Sequence, residues 1–61
     1  MYKITDMRKW RMNAGISQAE MGKILDIPKR TIENWESGKN TPPQYIINLV
    51  TEKLIQLSKN K

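Results

Sequence analysis

Three residues, Asp26-Ile27-Pro28, separate two short amphipathic segments, and this narrow gap constrains the fold more than any other feature of the chain. A connection this brief forces the flanking helices to cross steeply instead of lying side by side. The segment before it opens on Ser17-Gln18-Ala19-Glu20. That spacing predicts a capping box, in which the Ser17 hydroxyl accepts from the Glu20 amide and the Glu20 carboxylate reaches back. Ile16 and Met21 stand at the two positions of a hydrophobic staple. A helix is expected over residues 17–25, with Met21, Ile24 and Leu25 facing inward. Asp26 ends it, because Asp tolerates a positive φ better than most residues. Pro28 pre-sets φ for a following helix and disfavours helical geometry at Ile27. That helix is expected over 29–37, with Ile32, Trp35 and Glu36 on one face and Gly38 as its stop. The crossing requires a small residue where the two helices touch. Gly22 is placed for it, and a helical glycine that costs about 1 kcal/mol relative to Ala calls for a packing reason.

The flanks are helical too. Met7, Trp10, Arg11 and Ala14 recur at i, i+3, i+4 and i+7, one face of a helix over 5–14. Thr5 is its expected N-cap, Asp6 favours the first turn, and Gly15 suits a left-handed closing residue. On the other side, Ser37-Gly38-Lys39-Asn40-Thr41-Pro42-Pro43 forms a loop. Pro43 then opens a segment over 43–59 that carries Ile46, Ile47, Leu49, Val50, Leu54, Ile55 and Leu57. It reads as one long helix, or as two with a soft joint near Thr51. No segment alternates like a strand, and there is no repeat or linker. The expected class is all-α: one domain over 1–61, a compact bundle of four to five helices.

Composition restricts the chemistry. With 61 residues and 38% apolar positions there is one small core. A domain this size buries only about 60% of its unfolded surface, so pairing with a second copy would help it. There is no Cys and no His. This removes disulfides, Cys-based zinc sites and the commonest general base. No enzyme, metal or cofactor signature is present, and no small-molecule pocket is evident in so small a core. The longest apolar run, Tyr45-Ile46-Ile47, is too short to span a bilayer. The opening Met1-Tyr2-Lys3-Ile4-Thr5-Asp6 lacks the apolar stretch of a signal peptide, so a cytoplasmic protein is expected. Eleven Lys and Arg against six Asp and Glu leave a net charge of +5, a surface suited to a polyanion.

Met7 to Val50 resembles the lambda-repressor-like DNA-binding domains, specifically the Xre/Cro-type helix-turn-helix family. The resemblance rests on Arg8-Lys9-x-Arg11, on Gly15-Ile16-Ser17-Gln18-Ala19-Glu20-Met21, on Ile27 through Gly38, and on Pro42-Pro43. It implies a recognition helix starting at Lys29, with Lys29, Arg30 and Asn34 facing bases and Thr31 and Glu33 adding contacts. These residue types suit base reading, since Arg or Lys donates to guanine O6 and N7 and Asn pairs with adenine N6 and N7. The resemblance also implies phosphate contacts from Gln18, with Ser17 beside it, and from Lys39, Asn40 and Thr41. Arg11 and Glu36 resemble a family ion pair that ties the first helix to the end of the third. The chain departs from the family pattern in three places. Asp26 replaces a turn glycine, Pro28 replaces a Ser or Thr cap, and no break precedes a fifth helix.

Plainer roles compete at several positions. Lys29 and Arg30 can be solvated surface charges, and Ser17 and Glu20 serve first as caps. Trp10 and Trp35 stand at core spacing with Met7 and Ile32, which outweighs base stacking. The three-helix body looks large enough for Ile46, Leu49 and Val50 but not for the rest of the last helix. The apolar face of the last helix therefore either packs entirely on the body or, the preferred reading, offers Ile47, Leu54, Ile55 and Leu57 as a homodimer seam, with 51–61 a helical extension available for dimerisation. The expected function is a sequence-specific regulator, by default a repressor, bound as a dimer to a palindromic or near-palindromic operator of double-stranded DNA. Its two recognition helices would enter major grooves about 34 Å apart. The alternative is a helical protein-interaction module, antitoxin- or anti-repressor-like, working through its C-terminal helix.

Overall fold

The computed structural model describes residues 1–60 and contains four helices: α1 Ile4–Ala14, α2 Gln18–Leu25, α3 Lys29–Ser37 and α4 Gln44–Lys59. No strand occurs among the described residues. Of the four- and five-helix alternatives, the chain takes the first. The last helix runs through Thr51 without a joint and ends at Lys59. Asn60 caps it, donating its N–H to the Gln56 carbonyl at 3.1 Å. Lys61, the last residue of the expected extension, lies outside the described residues.

Local chemistry accounts for most helix ends. The Ser17–Glu20 box closes in both directions: Glu20 N–H donates to Ser17 Oγ at 3.0 Å, and Ser17 N–H donates to the Glu20 carboxylate at 2.8 Å. Asp26 adopts φ 58°, the one non-glycine residue in the left-handed region among the described residues. Pro28 stands before α3 with φ −56° and offers no side-chain cap. Gly15 and Gly38 close α1 and α3 at φ 73° and 85°.

One end differs from expectation. The N-cap of α1 is Lys3, not Thr5. Asp6 sits three residues on, so its carboxylate reaches back to accept the Lys3 N–H at 2.8 Å, and that bond sets the start. Thr5 becomes an exposed first-turn residue.

Met7, Met21, Ile32, Ile47, Val50 and Leu54 form the core, with every helix contributing. Trp10, Trp35, Leu25 and Ile27 pack half-buried against it. Gly22 lies where the turn folds back onto α2. Ile27 N–H donates to its carbonyl at 2.9 Å, and a Cβ on Gly22 would stand 2.5 Å from the Ile27 carbonyl oxygen. The packing reason for this glycine is thus the backbone of the turn itself, with the Lys29 backbone nitrogen at 3.6 Å and the Ile32 side chain at 3.7 Å behind it.

α1 and α4 form the most extensive helix pair. The chain before α1 is tied to α4 as well: Gln44 Nε2 donates to the Tyr2 carbonyl at 2.7 Å, and Tyr2 N–H donates to Asn48 Oδ1 at 3.3 Å.

The burial expectations for Ile24, Leu49 and Leu54 are corrected. Ile24 is 47% exposed rather than inward. At about 100° per residue, the buried arc of α2 is centred between Met21, Gly22 and Leu25, and Ile24 falls off its edge. On α4 the buried stripe is Ile47, Val50, Thr51 and Leu54, spaced i, i+3, i+4, i+7. Leu49 lies on the opposite side and is 62% exposed. The body does reach Leu54, which is fully buried, because α4 lies along α1. Ile47 and Leu54 are therefore consumed by the core of one chain and are not available to a dimer seam. Ile55 and Leu57 are half-buried.

Candidate nucleic-acid interface

α3 is held by its back and open at its front. Ile32 is buried at 1% exposure and anchors the helix in the core. At about 100° per residue, Glu33, Arg30 and Asn34 share an arc that points away from Ile32. Lys29, only about 60° from Ile32, is exposed because it opens the helix. Lys29, Arg30 and Glu33 are exposed; Asn34 and Thr31 are half-buried. Lys29 Nζ and Glu33 lie 4.0 Å apart, with side chains 58% and 48% exposed. Such a loose surface pair contributes little stability, so neither side chain is committed.

The loop after α3 is folded back over the helix end. The N–H groups of Lys39 and Asn40 donate to the Asn34 carbonyl at 2.9 and 3.3 Å. Gly38 makes this reversal possible at positive φ. Lys39, Asn40 and Thr41 are all exposed, so the backbone of Asn34 fixes the loop while the loop side chains stay free. Asn34 is thereby placed beside both the base-facing arc and the loop expected to meet phosphate.

A polar cluster braces α3 from behind. Arg11 donates to Glu36 through Nε at 2.8 Å and through Nη2 at 3.0 Å, a bidentate pair with side chains only 13% and 10% exposed. Arg11 Nη1 donates to the Ile16 carbonyl at 2.9 Å. Gln18 Nε2 donates to Glu36 Oε1 at 3.0 Å. One carboxylate thus ties together α1, the start of α2 and the end of α3. The Gln18 contact was not anticipated. The resemblance assigns this side chain to phosphate, whereas here its amide is engaged by Glu36. Ser17 is exposed at the same helix end, with its hydroxyl occupied by the Glu20 amide. The Glu20 carboxyl is held below its ordinary titration range, first by the Ser17 backbone N–H and then by the Ser17 hydroxyl.

Two further features escaped the sequence reading. Thr51 is completely buried, and its hydroxyl has no hydrogen-bond partner. Tyr45 and Leu49, four residues apart, are 64% and 62% exposed on the outer face of α4. The i, i+4 spacing of two large apolar residues was visible, but its phase relative to the core was not.

Among the described residues, no cluster of acidic, His or Cys side chains is arranged to hold a metal, and no helix is long and apolar enough to cross a membrane. No curated protein and no solved structure matches the chain. A family model described as helix-turn-helix matches residues 7–58. That span takes in α2, the Asp26–Pro28 turn and α3, with the brace that supports them. The chain belongs to the lambda-repressor-like, Xre-type helix-turn-helix family of DNA-binding regulators.

Proposed function

We propose that the protein is a sequence-specific regulator of transcription, acting as a repressor on double-stranded DNA and placing the start of α3 in the major groove. Lys29, Arg30 and Asn34 read base edges, with Thr31 and Glu33 beside them. Lys39, Asn40 and Thr41 meet phosphates, and the Ser17–Gln18 end of α2 does so through first-turn backbone N–H groups, the Gln18 amide staying on Glu36. The observation that carries this reading is the polarity of α3 itself: Ile32 anchors its buried side, while Lys29 and Arg30 are exposed at its start and the half-buried Asn34 lies one turn beyond Arg30 on the same side. Donors of these types at the front of a groove-sized helix match the edges presented by guanine and adenine. Occupying the groove excludes other proteins from the same site, which is repression in its simplest form.

The chain acts as a single domain in the cytoplasm and pairs as a homodimer on a palindromic or near-palindromic operator. With Ile47 and Leu54 inside the core, the outer face of α4 at Tyr45 and Leu49 takes over as the seam. Selection of bound sequences from a random duplex pool tests both parts. A symmetric motif with half-sites one helical turn apart is expected. An asymmetric single site contradicts the dimer, and recovery of no motif contradicts base reading.

The exposed Tyr45 and Leu49 also favour a second reading, an adaptor that binds another protein through α4. It predicts indifference to DNA at every salt concentration, which the same selection would reveal.

A further inference from the structure

We propose that the groove between the outer side of α1 and the C-terminal end of α3 is a docking site for an acidic, amphipathic helical segment of a partner protein. The groove is open to solvent, has a volume of about 560 Å³, and its lining includes Ile4, Arg8, Lys9, Met12 and Trp35. That volume is within the usual range of binding clefts, about 300–1,000 Å³.

Three observations define the occupant. Ile4, Arg8 and Met12 recur at i, i+4 and i+8, a stripe about 12 Å long that alternates apolar, cationic, apolar. Two turns of a helix would match it with apolar, acidic, apolar side chains, the helix-in-groove mode of recognition. The charge open to solvent in the groove is positive. Arg8 and Lys9 are exposed and have no ion-pair partner among the described residues, whereas the one acid in the lining, Glu36, is bound to Arg11. The third observation is Met12, 59% exposed at one end of the stripe. Its unbranched thioether adapts to the shape of an apolar anchor.

The site is offset from the main base readers. Trp35 stands about 140° around the helix from Arg30 and about 100° from Asn34, so a partner on Trp35 leaves both free. Of the base-facing set only Thr31, one turn earlier, lies on the Trp35 side. A duplex is a poor occupant, because phosphates gain nothing from an apolar floor of Ile4, Met12 and Trp35. A second copy of this chain is a poor one too. Its six acids are dispersed, and no exposed helix face among the described residues sets two of them beside a large apolar residue. Insertion of one copy into the groove of the next would also be a head-to-tail contact, which does not close into a dimer.

Two synthetic amphipathic helices of about 15 residues, with identical Leu anchors and either Glu or Lys on the polar face, test the proposal on the full chain by amide chemical-shift titration. The Glu peptide is expected to give saturable shifts at Ile4, Arg8, Met12 and Trp35, and the Lys peptide none. Arg8→Ala with Lys9→Ala should weaken the Glu peptide about tenfold, and Met12→Glu should weaken it while leaving both cations in place. The salt dependence of duplex DNA binding should stay unchanged in the double variant. Shifts confined to residues 29–34 or to Tyr45 and Leu49, or equal binding of both peptides, overturn the proposal, as does undiminished binding to the variants. A fall of about two in the DNA salt slope also overturns it, because Arg8 and Lys9 are then phosphate contacts.

Discussion

Glu36 accepts from Arg11 Nε at 2.8 Å and from Arg11 Nη2 at 3.0 Å, across 25 positions of sequence. The pair is nine-tenths buried on the Glu36 side and receives Gln18 as a third member. It joins the end of α3 to α1 and to the start of α2, so the angle at which α3 leaves the body depends on it. Charges this deeply placed contribute little net stability against apolar replacements, but removing one partner strands the other.

Arg11→Met is therefore expected to destabilise the fold by about 3–5 kcal/mol, read as a lower midpoint in urea unfolding. Adding Glu36→Leu to that variant should recover much of the loss. If the two single losses simply sum in the double variant, the side chains act independently and the brace is not a unit.

Thr51→Val replaces a buried hydroxyl that has no partner with a methyl of similar shape. Removing an unsatisfied polar group from the interior should stabilise the protein by about 1–2 kcal/mol. In a domain this small each kcal/mol raises the melting temperature by roughly 4–8 °C. A lower melting temperature would mean that the hydroxyl is satisfied in solution.

Gly22→Ala opposes two effects. Ala favours a helix interior by about 1 kcal/mol, but its Cβ would meet the Ile27 carbonyl at 2.5 Å. The neighbour is backbone and cannot rotate away, so the clash should win with a net loss of about 1–3 kcal/mol. Because the turn must open to relieve it, α3 shifts relative to α2. DNA binding should then weaken even at temperatures where circular dichroism shows the variant folded.

Arg30→Ala and Lys39→Ala separate reading from docking. The Arg30 variant should lose about 1–3 kcal/mol on the preferred sequence and relax one operator position. The Lys39 variant should weaken all duplexes alike and lower the salt slope by about one. Equal losses by the Arg30 variant on preferred and random DNA would remove it from the base-reading set.

Glu20 supplies a pH dependence of known sign. Its carboxyl titrates below the ordinary range because Ser17 hydrogen-bonds the charged form. A depressed folded-state pKa adds stability that is complete above the unfolded value and is lost as pH falls through the folded one. Glu20→Gln keeps a side-chain acceptor for the Ser17 N–H but removes the titration. Its stability should consequently fall less steeply on acidification than that of the parent, by comparison of unfolding midpoints from neutral pH through the carboxylate range.

The features legible in the sequence were those decided within a few residues. α3 occupies 29–37 as expected, the Ser17–Glu20 box closes, and Asp26 takes the left-handed turn position. Each depends on short-range hydrogen bonds and backbone sterics that the neighbouring residue types already specify. Even here Asp6 displaced Thr5 as the organiser of α1, because a carboxylate three residues into a helix competes directly with a hydroxyl cap. What only the tertiary structure decided was which face each helix covers. Leu49 and Leu54 are equally apolar, yet one is 62% exposed and the other fully buried. Thr51 took a core position that apolarity alone would have given to Leu49. The engagement of Gln18 by Glu36 and the groove beside Arg8 likewise arise from elements far apart in the chain. Hydrophobic periodicity shows that a helix has an inward stripe, but the phase of that stripe is set by the partner helix it packs against, and α4 found its partner in α1.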